Sequence, residues 1–103
     1  VVVEVVDARL PVTSLHPELA ERLQQRPLLR VLSKAGLADP ACSERWVRCK
    51  REEHWVLFDA HTGQGKRQVV ESILALGAPK LAALRAKGLK DRPVRTMVVG
   101  MPN

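Results

Sequence analysis

The run Val1–Val6, VVVEVV, constrains this chain more than any other feature. Its valines are stiff at χ1 and suit a pleated surface better than a helix. The run does not alternate apolar with polar residues. It therefore reads as a strand buried on both faces, as in a parallel sheet covered by helices on each side. The segment stops at Asp7-Ala8-Arg9-Leu10-Pro11, where Pro11 lacks the N–H that further pairing needs. A chain that begins this way must supply more strands, and helices for both faces.

The rest of the sequence supplies them in alternation. Pro17 suits the first turn of a helix running to about Gln25, with Leu19 and Leu23 on one face. Leu28–Leu32 is a second apolar strand, followed by a loop over Ser33–Ala38. Asp39-Pro40 then supplies an N-cap and a first-turn proline for a helix to about Glu52, which places Cys42, Trp46 and Cys49 on one side. Trp55–Phe58 is the third strand and ends in a glycine-punctuated loop, residues 59–65. Lys66–Leu76 reads as a helix with Val69, Val70, Ile73 and Leu74 as its buried stripe, stopped by Gly77 and Pro79. A shorter helix, Pro79–Lys87, closes at Gly88, and Arg95–Val99 is the fourth strand. This order predicts an α/β domain with a mostly parallel sheet and flanking helices. Both ends of the chain fall in apolar runs, so residues 1–103 read as part of a longer domain.

Charge adds a location. Of the net +6, all resides in residues 66–95, which hold eight Lys/Arg against Glu71 and Asp91; elsewhere nine positive residues balance nine negative ones. Such a segment is either a solvated helix and linker or a face that meets a polyanion such as RNA. No apolar run approaches the length of about 20 residues that a membrane span needs. Cys42 and Cys49 make no disulfide framework, which points to reducing conditions. With His54 and His61 they match no zinc spacing, and helix cysteines are commonly small hydrophobes. Trp46 and Trp55 occupy apolar positions, where core packing competes with base stacking.

In open parallel sheets, ligands bind beyond the carboxyl ends of the strands. The loops to inspect are residues 7–11, 33–38, 59–65 and 100 onward. The last, Val98-Val99-Gly100-Met101-Pro102-Asn103, is an apolar strand running into Gly-x-Pro-Asn. A phosphate-binding loop, G-x-x-x-x-G-K-[ST], begins this way, although a strand ending in Gly is by itself an ordinary turn.

The wider pattern is more specific. Lys87-Gly88-Leu89-Lys90, Arg92, Arg95, Met97, Val99, Gly100, Pro102 and Asn103 fit the stretch K-G-x-K-x-R-x-x-R-x-M-x-V-G-x-P-N-V-G-K-S. Upstream, Asp7-Ala8-Arg9-Leu10-Pro11 fits D-A-R-x-P, His16-Pro17-Glu18-Leu19 fits N-P-E-L, and Leu32–Asp39 fits L-N-K-A-D-L-A-D. In these motifs and their order the chain resembles the circularly permuted GTPases of the YlqF/YawG (RbgA-like) ribosome-assembly family. The resemblance covers nearly all of residues 1–103. It implies a partial, circularly permuted P-loop GTPase domain: the guanine-recognition half and the first strand of the phosphate-loop half. It also implies that the strand near residues 95–99 lies beside Val1–Val6, followed by Leu28–Leu32 and Trp55–Phe58.

Function follows from the same resemblance. The full-length protein is expected to bind GTP or GDP with Mg²⁺ and to assemble with the large ribosomal subunit or its RNA, in the cytoplasm or in a mitochondrion. Ser33, Lys34, Gly36, Asp59, Ala60, His61, Gly100, Pro102 and Asn103 occupy the nucleotide-binding positions. In the family's N-K-x-D, the Asp accepts two hydrogen bonds from guanine, the Asn braces the phosphate loop and the Lys stem covers the base. Here Ser33-Lys34-Ala35-Gly36 keeps the Lys and loses the Asp, a charge-assisted contact on which guanine selectivity rests. The second recognition loop carries Asp59 where the family has Ser, which brings an acid to the site; the Ala60 N–H still suits a base oxygen. His61 reads as an exposed loop residue rather than a base. The loss at Gly36 leaves a second reading open, a degenerate GTPase-like scaffold that binds RNA or protein. The phosphate-loop Lys and the Mg²⁺-holding Ser of the motif lie past Asn103. Residues 1–103 alone are therefore expected neither to hydrolyse GTP nor to bind it tightly, and a titration giving micromolar affinity would contradict this.

Overall fold

The valine run forms the inner strand that its composition predicts. In the computed structural model, which describes residues 1–102, β1 (Val2–Asp7) pairs in parallel on both edges. Its neighbours are β2 (Leu28–Ser33) and β4 (Met97–Gly100), and β3 (His54–Leu57) lies beyond β2. The sheet is parallel throughout, in the order β3-β2-β1-β4, as the resemblance implied.

Glu4 interrupts the valines, and pairing register explains how the sheet tolerates it. Glu4 stands opposite Arg30 of β2, and Arg30 opposite Trp55 of β3. The Glu4 side chain is buried: one oxygen accepts from Arg30 Nε at 2.9 Å and the other from the His16 N–H at 2.8 Å. Arg30 also pairs with Glu53 and lies 5.4 Å from the centre of the Trp55 ring, whose N–H donates to Glu53 at 2.9 Å. Both Glu4 oxygens are thus satisfied, which a buried charge requires.

Helices cover both faces. α1 (Pro11–Ser14) and α2 (Leu19–Leu23) connect β1 to β2, where one helix from Pro17 to Gln25 was expected. Pro11 opens α1 after β1 has already ended at Asp7, and Gln24, at φ 55°, ends α2. A 3₁₀ turn (Ala35–Leu37) and α3 (Pro40–Cys49) connect β2 to β3. The Asp39 side chain caps α3 by accepting from the Ala41 N–H at 3.0 Å. α3 stops at Cys49 rather than Glu52, and it turns Ser43, Trp46 and Val47 inward while both cysteines stay exposed. The large apolar surfaces of Trp46 and Val47 gain more from burial than two thiols would. Trp46 meets Trp55 edge-to-face at 5.7 Å, within a cluster of Val6, Ala8 and Leu32.

α4 (Lys66–Ala86) covers the opposite face and corrects the expected break. It runs through Gly77 and Pro79 as one helix. Its inward stripe is Val69, Ile73 and Leu76 against Val3, Leu29, Val31 and Val56, whereas Val70 and Leu74 are exposed. Gly77 is a crossing point: the extended segment before β4 passes so close that a Cβ there would lie 2.7 Å from both methyl carbons of Val94. Packing outweighs the proline's missing hydrogen bond, a local cost of about 3 kcal/mol. β4 starts at Met97 rather than Arg95, and Met97 and Val98 are exposed on the sheet's edge. Among the described residues, no helix is long and apolar enough to cross a membrane.

The Gly77 crossing makes a direct prediction. Gly77→Ala should destabilise the protein by about 1–3 kcal/mol through overpacking, and adding Val94→Ala should recover much of that loss. Denaturant midpoints of the two variants against the parent provide the check.

Candidate functional site

The topology selects one edge of the sheet. From β1 the chain steps outward to β2 and β3 with α3 on one face, then returns over the other face through α4 to β4, on the far side of β1. Leu15 of the connection from β1 to β2 packs on the same face as α3, whereas α4, which leads into β4, packs on the opposite face. In such sheets the usual ligand position is a crevice outside the carboxyl ends of the strands, next to the point where the strand order reverses. All four motif loops lie along this edge. A cavity of about 530 Å³ lined by Val1, Leu23, Pro27, Leu76 and Val94 lies elsewhere, at the amino ends, and contains none of the candidate residues.

The first loop is held by charge. Asp7 Oδ1 accepts from the Arg9 N–H at 2.9 Å and from Arg9 Nε at 3.0 Å, while Oδ2 accepts from Nη2 at 2.7 Å. Lys34 Nζ approaches the same oxygen at 3.7 Å. The hydrogen bond from the Arg9 side chain is the main cause that lowers the Asp7 pKa from 3.8 to about 2, against the opposing effect of burial.

The second loop is tied to both neighbours. Ser33 Oγ donates to Val6 O at 3.1 Å, so the hydroxyl braces β1 rather than the segment after β4. Lys34 adopts the left-handed region at φ 58°, which turns the chain sharply into the 3₁₀ turn. The Ala35 N–H donates to Phe58 O at 3.1 Å and joins this loop to the third.

The third loop closes on itself through Asp59. Its N–H donates to Gln64 O at 3.0 Å, and its carbonyl accepts from the Gly63 N–H at 2.9 Å. The side chain is turned inward, only 7% of the residue being exposed, and Oδ1 accepts from the His61 N–H at 2.9 Å. The His61 ring is exposed. Asp59 Oδ2 and the Ala60 N–H find no hydrogen-bond partner among the described residues. Gly36 and Asp59 are direct neighbours: a Cβ on Gly36 would overlap Asp59 Oδ2 and lie 3.2 Å from its Cγ. The sequence showed an acid lost at one loop and gained at another, and that pair of changes was the available signal of this contact.

The structure thus brings Ser33, Lys34, Gly36, Asp59, Ala60 and His61 into one cluster beside Asp7. Gly100 reaches the same edge by pairing opposite Val5 on β1's other side, with Met101 and Pro102 exposed after it. Asn103 lies outside the described residues. Among the described residues no group of three or more His, Cys, Asp or Glu is placed to hold a metal ion, and Asp7 is engaged by Arg9 and Lys34. All eight cations of residues 66–95 are exposed. Among the described residues, Arg67 and Arg85 alone of these have an acidic partner, Glu71 and Asp91 respectively.

No protein-family model matches the chain. It is similar to proteins named ribosome biogenesis GTPase A from Bacillus cereus and Priestia megaterium, 36% and 37% identical over the whole chain and over 36% and 37% of those proteins. The protein of that name from Bacillus pumilus is 33% identical, again over the whole chain and 37% of its own length. The chain spans about a third of the length of the curated relatives it matches. These relatives bear out the family resemblance read from the motifs.

Asp7 yields a prediction about acid. Its folded pKa lies below its ordinary value, so the contribution to stability is present above about 3.8 and is lost as pH falls through about 2. Arg9 is half open to solvent, which keeps that contribution modest. Asp7→Asn should lower stability at neutral pH and flatten the acid-induced loss in that window, as measured by denaturant midpoints along a pH series.

Proposed function

We propose that this chain, a relative of the ribosome biogenesis GTPase A proteins along its whole length, is the guanine-reading part of a GTP-binding ribosome-assembly factor. The proposal treats residues 1–103 as part of a circularly permuted G domain. The observation that carries it is the meeting of the loops after β1, β2 and β3 at the carboxyl edge of the sheet, with Gly100 opening the next loop beside them. In this reading the Lys34 stem covers the base, the Ala60 N–H donates to the base oxygen and Ser33 holds the loop on β1. Gly100 and Pro102 begin the turn around the phosphates. Phosphoryl transfer needs positioning and charge stabilisation above all, and the residues here contribute the positioning of the base.

The unpaired cations of residues 66–95 supply the second half of the proposal. Lys66, Lys80, Lys87, Lys90, Arg92 and Arg95 stand in solvent with no acidic partner among the described residues, a surface suited to the phosphates of ribosomal RNA. The bacterial relatives favour the cytoplasm as the place of action.

Nucleotide binding by the full-length protein tests this reading. GDP should bind at least about tenfold more tightly than ADP, given the selectivity that paired polar contacts confer. Equal affinity for the two would replace it with the degenerate-scaffold reading.

A further inference from the structure

We infer that Asp59 is the acid that reads the base in this chain, in place of the carboxylate missing from position 36. The inference rests on the proposed nucleotide site and names its specificity-determining residue. Gly36 has no side chain with which to touch a base, so selectivity must come from another group or be lost. The structure places one there: Asp59 Oδ2 sits in the space a side chain on Gly36 would occupy, with Cγ 3.2 Å from the position of its Cβ. Of the two Asp59 side-chain oxygens only Oδ2 comes as near to that Cβ as an oxygen carried by position 36 would; Oδ1 lies 3.9 Å away. The two loops thus offer one carboxylate to the edge of the crevice, supplied by the other strand.

The remaining contacts of Asp59 suit that task. Oδ1 is committed to the His61 N–H, which fixes the plane and rotamer of the carboxylate. Oδ2 has no donor among the described residues and retains its lone pairs for a ligand. Beside it, the Ala60 N–H is also free. An acceptor and a donor one residue apart complement an edge that carries N–H groups and a carbonyl oxygen. Guanine has such an edge: N1–H and the 2-amino group donate, and O6 accepts. Adenine offers no N–H donor at N1 or C2, so the carboxylate would face a lone pair there. Position 36 cannot hold a second acid alongside, because two carboxylates at this spacing cannot both ionise without a large penalty. Glycine at 36 and aspartate at 59 are therefore two parts of one arrangement.

The test exploits the fixed orientation. Asp59→Asn keeps an oxygen for the His61 N–H and places an NH₂ donor where Oδ2 was. Xanthine presents a carbonyl where guanine has its 2-amino group, so the variant should exchange one preference for the other. In the full-length protein, GDP should bind about tenfold more weakly and xanthosine diphosphate about tenfold more tightly than to the unsubstituted protein, as expected for a charge-assisted contact replaced by a mismatched one. An unchanged ratio of GDP to xanthosine diphosphate affinity, in a parent that prefers GDP to ADP, would overturn the role of Asp59 and leave the nucleotide site standing. A parent with no preference for GDP over ADP would instead remove the proposed function itself, and this inference with it. Should Asp59→Asn fail to fold, two other variants decide. Asp59→Ser alone should lose the preference for GDP, and Gly36→Asp combined with Asp59→Ser should regain it. Retention of the preference by Asp59→Ser alone would overturn the inference.

Discussion

Strand β1 is hydrogen-bonded along both edges, and every candidate loop takes its position from that constraint. A strand paired twice in parallel must receive its neighbours through crossover connections, and their helices must cover both faces. The return from β3 to β4 then sets Gly100 beside Val5 of β1. The charged pair inside the strand reinforces the alignment. Glu4 is satisfied only when Arg30 stands directly opposite, so a slip of one residue between β1 and β2 would turn the two side chains to opposite faces. Removing one partner of such a buried pair typically costs about 3–5 kcal/mol. Here the cost is shared with Glu53 and with the Trp55 ring above Arg30.

The candidate site inherits its precision from this framework. Ser33 bonds to Val6, Ala35 to Phe58 and Lys34 approaches Asp7, so three successive strand ends are tied laterally before any ligand arrives. Asp59 comes from the end of β3 and fills the space left by Gly36 at the end of β2. A single acid in this space avoids the repulsion that two carboxylates at this spacing would meet. It also ties the third loop more closely to the second.

Much of the fold was legible because it depends on local pattern. A β-branched run marked β1, a short apolar run marked β2, and the Asp39-Pro40 pair marked the start of α3. Where the reading failed, tertiary packing had overridden a local signal. Gly77 and Pro79 look like a helix end, yet Gly77 is the point where the segment carrying Val94 presses against a continuous helix. The stripe of α4 shifted from Val70 and Leu74 to Leu76 because the uninterrupted helix presents a different side to Val3 and Val31. The cysteines of α3 faced outward because Trp46 and Val47 had more apolar surface to bury.

The sequence by itself determined the strand segments, the motif order that carries the family resemblance and the glycine at position 36. These are properties of residues read in order, and they identify the family resemblance without coordinates. Only the tertiary structure decided what stands in the vacated space. Gly36 and Asp59 lie on loops after different strands, and their contact depends on the register that pairs Leu32 with Leu57. No local propensity encodes that distance. The sequence showed the acid at position 59 as a group near the site; the sheet turned its carboxylate into the space beside Gly36.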